Sequence, residues 1–266
     1  NRREQKMLRL LVLSLGCAAA LKVDQAPAVK PALRLRGGVD TSTLVKVGAG
    51  LFGLSAAQAW ISPKAGMDGY GVTNAPADGL ASFRGAACWQ MAIAYLLLAD
   101  VDKVNALSHF VAAAAIFASF PAFEVLGGPK MPGTLWCIFL CALGKFALDG
   151  KVNPWVAVAL WVVNGAQWYF APDMVQEMYQ VPPVSVLAKK MFSLQGGSML
   201  VGAAYVTALT VGKSQAEAFA AAFAVNCLTA LKFALTGEAE EIGAPRTGPL
   251  AWAGISAVLA GLALKQ

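Results

Sequence analysis

Eight apolar runs, at about 43–61, 82–99, 105–126, 133–149, 153–171, 191–211, 214–236 and 249–265, make up most of this chain, with only short polar breaks between them. As helices rising ~1.5 Å per residue, runs of 17 to 23 residues cover most or all of a ~30 Å hydrocarbon layer. Just 14% of the 266 residues are charged and 58% are hydrophobic, whereas an ordinary soluble domain carries about 25% charged residues. So few charges could not cover a soluble protein of this length. The expectation is an all-α integral membrane protein with the lipid bilayer as its first partner.

The formal net charge is +6, but much of the basic excess lies in the first 46 residues. Aromatic residues interleave with apolar ones and not with basic ones, so no nucleic-acid surface is expected. The segment "MLRLLVLSLGCAAA", with Met7 as the expected start, has a basic head, an apolar core of about a dozen residues and small residues Ala18, Ala19 and Ala20 at its end. That core is too short to span a bilayer and reads as a signal peptide within residues 1–20. Residues 21–42 hold Lys22, Lys30, Arg34 and Arg36 among Pro and Ala, with Asp24 and Asp40 as the only acids. A signal peptide followed by such a basic segment resembles the two-part leaders of plastid proteins in algae with secondary plastids. A plastid membrane is the expected location, with the endoplasmic reticulum or another secretory membrane as the alternative.

Two stretches far apart match. "AQAWISPKAGMDGYGV" (57–72) lies against "AQWYFAPDMVQEMYQV" (166–181) at a shift of 109, so that Ala57, Gln58, Pro63, Tyr70 and Val72 meet identical residues. Further on, Val101 and Lys103 meet Val211 and Lys213 at a shift of 110, and "LGKFAL" meets "LAGLAL" at 116. The slow drift is what loop insertions produce. The expected architecture is eight transmembrane helices as two four-helix repeats, at 43–149 and 150–266. Four is even, so both repeats enter and leave on the same side and are parallel.

Pro63 and Pro172 directly follow a helix in each repeat. Each is expected to open a connector lying along the membrane interface, with Trp60, Trp168, Tyr169, Tyr70 and Tyr179 as belt aromatics. Gly133, Cys137 and Cys141 recur at i, i+4 and i+8 in the fourth helix, as do Ala253, Ala257 and Gly261 in the eighth. Small residues at this spacing let helices approach closely in lipid, so both triplets are read as packing seams.

Polar groups inside hydrocarbon point to function, because they are costly there. Gln58 and Gln167 match across the repeat near helix ends and read as interfacial caps, as helix–helix hydrogen-bond partners or as amides at a cavity mouth. Gln90 and Asn226 lie mid-segment without matching, opposite Val201 and Ile116, and are expected to face the bundle interior. His109 is the only histidine; Phe219 takes its place in the second repeat. It reads as a solvated interfacial group, with a cofactor or pigment ligand as the alternative; no cofactor is named by the sequence. Lys145 and Asp149 are spaced to pair on one helix face. The cysteines show no metal spacing, and neither a P-loop, a GxSxG, an HExxH nor a metal cluster is present. No catalytic residue is assigned.

The Tyr-Gly connector "MDGYGV" leading to "FRGAACW" at the second helix resembles the four-helix membrane proteins of the DoxX-like superfamily. Arg84 and Trp89 give a weaker similarity to the four-helix sterol-biosynthesis scaffold of the endoplasmic reticulum. The resemblance implies a tandem duplication of a four-helix unit and carries no catalytic residue with it. Two functions stay open: a non-enzymatic scaffold or accessory subunit for other membrane-complex subunits, or a carrier for a small uncharged or lipid-like solute held between the repeats.

Overall fold

The computed structural model describes residues 39–266. The expected signal peptide and the basic linker as far as residue 38 lie outside the described residues. Every regular element among the described residues is helical. The elements are α1 (Thr41–Ile61), α2 (Pro63–Gly69), α3 (Ala77–Leu98), α4 (Val104–Ala118), α5 (Phe120–Val125), α6 (Lys130–Leu148), α7 (Trp155–Phe170), α8 (Pro172–Met178), α9 (Val186–Thr210), α10 (Gln215–Leu235), α11 (Glu238–Glu241) and α12 (Thr247–Ala263). Five stretches among the described residues are long and apolar enough to cross a membrane: Thr41–Ile61, Val101–Val125, Lys130–Leu148, Val186–Thr210 and Gln215–Leu235. The other long helices fall short for physical reasons: α3 carries Asp78, Arg84 and Gln90, while α7 and α12 have only 16 and 17 residues.

Local chemistry sets the helix boundaries. Pro63 and Pro172 each enter a seven-residue helix at its first turn, where a missing N–H costs nothing. The connectors are thus short helices. Ser214 and Glu217 close a capping box at the start of α10: the Glu217 amide donates to Ser214 Oγ at 3.2 Å, and the Ser214 amide donates to Glu217 Oε2 at 2.9 Å. Pro121 sits in the first turn of α5, so the apolar run 101–125 bends at Ser119 and does not continue as one ladder.

The central pair is α3 and α9. They run in the same direction with their N-termini side by side. Asp78 joins them: its carboxylate accepts from the Ser185 amide at 2.6 Å and from the Ser185 hydroxyl at 3.0 Å. One carboxylate thereby serves the positive ends of two helices. Glycines make the approach close, since a Cβ on Gly79 would lie 2.5 Å from Leu187 Cδ2 and one on Gly85 would lie 2.7 Å from Gln195 Nε2. Outside this pair, α1 packs on α3, and α7 packs on α9. The α4–α6 hairpin leans on α3, and the α10–α12 hairpin leans on α9. Phe219 and Phe223 of α10 cross to α1, where they fill the space over Gly48.

The small-residue seams run at a different angle from the expected one. Gly133 and Cys137 face α4 and α5, with Phe120 against Gly133 and the Cys137 thiol 3.4 Å from the Ala113 carbonyl. Cys141 is exposed; Leu140 and Gly144 are buried in its stead. In α12, Ala253 is buried, but Ala257 and Gly261 are exposed, and the buried line runs through Ser256, Leu259, Ala260 and Ala263. The cause is geometric. Steps of four residues rotate about 40° each around a helix of 3.6 residues per turn, so later members leave the contact face, the third in α6 and already the second in α12.

The connector aromatics also divide. Trp60 is 40% exposed, as a belt residue would be. Trp168 is buried and packs edge-on against Phe192 (centroids 5.4 Å apart) and Phe123 (6.3 Å). Lys145 and Asp149 pair at 2.8 Å.

The tightest helix crossing yields a test. A Cβ on Gly196 of α9 would lie 2.3 Å from the Tyr169 amide and 2.7 Å from the Gly165 carbonyl of α7, and backbone cannot step aside. Gly196→Ala is expected to destabilise the purified chain by about 1–3 kcal/mol, read as a fall in thermal midpoint. Gly254→Ala, with nothing within 4 Å of the new methyl, is expected to leave the midpoint unchanged or slightly raised.

Candidate functional site

Gln90 and Asn226 line one cavity of about 140 Å³. It lies where α1, α3, α9, α10 and α12 converge, below the connector that carries Met67 and Tyr70. Its walls are mostly apolar: Phe52, Phe83, Met191, Leu194, Phe233 and Ile242. Its polar groups are few and are held in place. Gln90 Oε1 accepts from the Ser55 hydroxyl at 3.3 Å. Asn226 Nδ2 donates to the buried Ser256 hydroxyl at 2.8 Å, while Thr229 Oγ1 donates to the Asn226 main-chain carbonyl at 2.9 Å and does not touch the side-chain amide. The two serine bonds engage one end of each amide. The Gln90 NH₂ and the Asn226 side-chain oxygen are the ends left over, a donor and an acceptor in an apolar chamber.

The cavity has a roof and an ionic edge. Trp252 Nε1 donates to the Tyr70 hydroxyl at 3.2 Å, tying α12 to the connector. Glu238, on the four-residue α11, meets Lys232 at 2.5 Å and Lys190 at 3.8 Å, while Lys190 meets Glu241 at 2.8 Å. The Lys232 ammonium also sits 4.7 Å from the centroid of the Tyr169 ring, a cation–π contact. Two lysines face two glutamates, so the edge is formally neutral. Chambers with apolar walls and a few fixed polar groups are the usual form of small-molecule sites.

A second cavity of about 70 Å³ is walled by tryptophan, with Trp89, Trp136, Trp161 and Trp168 around it. A third, about 270 Å³, is lined mainly by alanines of α1, α3 and α4 beside the exposed Trp60 and Tyr95. Among its lining residues none is an amide or a charged group.

The other residues singled out by sequence fall elsewhere. Gln58 is exposed and Gln167 half-buried, and neither lines these cavities. Both sit at helix ends, where their main-chain carbonyls accept from Ser62 and Ala171 at 3.0 Å each. His109 is fully buried, and neither ring nitrogen has a hydrogen-bond partner. It is therefore not the solvated interfacial group expected. Its helix turns it inward with Ala112 and Ala113, the face that packs on the core. Asn105, four residues earlier on the same face, has its side-chain oxygen buried without a partner as well. His109 lines none of the three cavities. No group of three His, Cys, Asp or Glu among the described residues could hold a metal ion.

Sequence reasoning missed the edge of the cavity. Lys232 reads from sequence as a helix-end lysine reaching water; α11 folds back and brings Glu238 onto it. Ser55 and Ser256 are ordinary hydroxyls in sequence, and only the helix crossings reveal that they fix the amides. No protein-family model, no curated protein and no solved structure matches this chain. Among the described residues the chain is all-helical, with five stretches long and apolar enough to cross a membrane.

A buried polar group without a partner costs about 1–3 kcal/mol. His109→Phe, which installs the residue type found at the buried Phe219, is therefore expected to keep or raise the thermal midpoint of the purified chain. A fall would show that the imidazole has a partner of its own.

Proposed function

We propose that the chain is an eight-helix integral membrane protein, built as two parallel four-helix repeats, that binds and carries a small, uncharged, lipid-like solute in the chamber at Gln90 and Asn226. The observation that carries the reading is the convergence of these two amides, 136 residues apart, on one otherwise apolar cavity. An apolar chamber of about 140 Å³ accepts part of an acyl or isoprenoid chain. The free amide donor and acceptor suit a hydroxyl or carbonyl head. The balanced lysine–glutamate edge gives no preference to a net charge.

Matched backbone geometry supports the duplication. Ser62 and Ala171, between the first and second helices of each unit, have φ/ψ of −136/67 and −137/57. Tyr70 and Tyr179 have −88/4 and −89/6, and each precedes a positive-φ residue, Gly71 at +85 and Gln180 at +55. The Tyr70 and Tyr179 endings are a common way to close a helix, also adopted at Asp149, Val211 and Ile242 before Gly150, Gly212 and Gly243, so the support rests on the matched helix–Pro junctions at Ser62 and Ala171. The basic leader supports a plastid membrane as the location.

A scaffold or accessory subunit is the second reading, and α6 favours it. Only Leu140 and Gly144 of that helix are buried, while Leu135, Ile138 and Phe146 are 50–63% exposed. Such an apolar face is open to lipid or to another membrane subunit.

The carrier reading predicts that Gln90→Leu with Asn226→Leu leaves the thermal midpoint within a few degrees but weakens binding of a fluorescent fatty alcohol at least ten-fold in reconstituted vesicles. Unchanged binding would overturn it, and retention of co-purifying subunits by the same variant would then support the scaffold. The parallel arrangement predicts that single cysteines at the exposed positions Asn74 and Pro183, in a chain lacking its native cysteines, react with an impermeant maleimide from the same side of the membrane.

A further inference from the structure

The tryptophan-walled cavity is a separate place from the chamber at Gln90 and Asn226. It lies on the other side of the α3–α9 pair and is closed by α6 and by Tyr179 of the second connector. Trp89 and Trp161 meet edge-to-face, with centroids 5.6 Å apart and planes at 90°. Trp168 and Tyr179 follow at 5.8 Å. The first pair is perpendicular and the second tilted at 44°, so the cavity they border is walled by both ring faces and ring edges, which suits a flat aromatic guest.

Two amides look into this slot. Gln195 is 2% exposed and lines it. Its NH₂ sits over Gly85 and donates to the Ser82 carbonyl at 3.3 Å, so its oxygen is the end left without a hydrogen bond. Asn164 also lines the slot, and its NH₂ donates to the Leu160 carbonyl at 2.7 Å. Its oxygen is likewise left over. An amide oxygen is an acceptor only, so both call for a donor. The one charged residue on the lining, Lys130, is paired with Glu124 at 2.8 Å, so the rim is formally neutral and suits an uncharged guest. The Tyr179 phenol is pushed up to about 12 by burial and stays neutral.

We propose that this slot is a second binding site, specific for a flat aromatic ring bearing a hydroxyl, which stacks among the indoles and donates its O–H to Gln195 or Asn164. The site differs in chemistry from the amphiphile chamber and stands or falls independently of it.

The slot holds four of the chain's seven tryptophans, so quenching of intrinsic fluorescence reports on it directly. The probes are 4-bromophenol and bromobenzene, equal in ring and heavy atom and different in the hydroxyl, titrated into the purified chain at fixed detergent. For the unmodified chain, saturable quenching by 4-bromophenol is expected at a concentration at least five-fold below that needed with bromobenzene. Asn164→Leu with Gln195→Leu is expected to abolish that preference, and Gln90→Leu with Asn226→Leu to preserve it. Equal half-saturation for the two probes in the unmodified chain overturns the proposal whatever the variants do. A preference that survives loss of both slot amides, or that disappears with the chamber amides, overturns it too.

Discussion

The close, parallel contact of α3 with α9 determines the rest of the molecule. In lipid no hydrophobic drive pushes helices together, so packing and interhelical hydrogen bonds must do so. Here Gly79 and Gly85 remove the side chains that would hold the two helices apart, and Leu187 and Gln195 occupy the vacated space. Asp78 then locks the register by bonding to the Ser185 amide and hydroxyl at the head of α9. Once these helices lie side by side with their N-termini together, α1 and α7 have one face each to cover. The two terminal hairpins must lean across the ends, and the spaces left between hairpin and core become the two lined cavities.

Those cavities explain why polar side chains persist in so apolar a chain. An amide in hydrocarbon is tolerated when a neighbour satisfies it, and an interhelical bond of this kind is worth about 0.6 kcal/mol on average. Ser55, Ser256 and Ser82 supply such partners across helices, each to one end of an amide, and Asn164 bonds back to the Leu160 carbonyl of its own helix. The opposite ends point to what a guest would offer. In the larger chamber they are a donor and an acceptor over aliphatic and phenyl walls. In the smaller slot they are two acceptors among indoles.

Much of this was legible in the sequence, because hydrophobic patterning and proline placement act locally. All eight apolar runs are helical over most of their length, and the prolines of both connectors open short helices. The interior placement expected of Gln90 and Asn226 follows from their mid-segment positions, and both line a cavity. What the sequence did not convey depends on rotation and return. The small-residue stripes, taken at steps of four, rotate off the contact face, by the third residue in one helix (Cys141) and by the second in the other (Ala257, then Gly261). His109 stands near a helix start and reads as wetted, yet the helix turns it inward. Trp168 resembles a belt residue by position, but Phe192 and Phe123 enclose it. Lys232 meets Glu238 only because α11 turns back, which no local pattern encodes.

The direction and register of the α3–α9 pair are open to direct measurement in the membrane. A Cβ at Gly79 would lie 3.2 Å from Leu187 Cβ, within reach of a disulfide after slight adjustment, since bridged Cβ atoms stand roughly 3.5–4.5 Å apart. Gly79→Cys with Leu187→Cys, in a chain whose native cysteines are replaced, should form an intramolecular disulfide under mild oxidation, seen as a linked peptide pair by mass spectrometry. A control pair, Gly79→Cys with Thr210→Cys at the far end of α9, should not. Linkage of the control pair with none between 79 and 187 would mean that the two helices run in opposite directions, and the account would fail at its foundation.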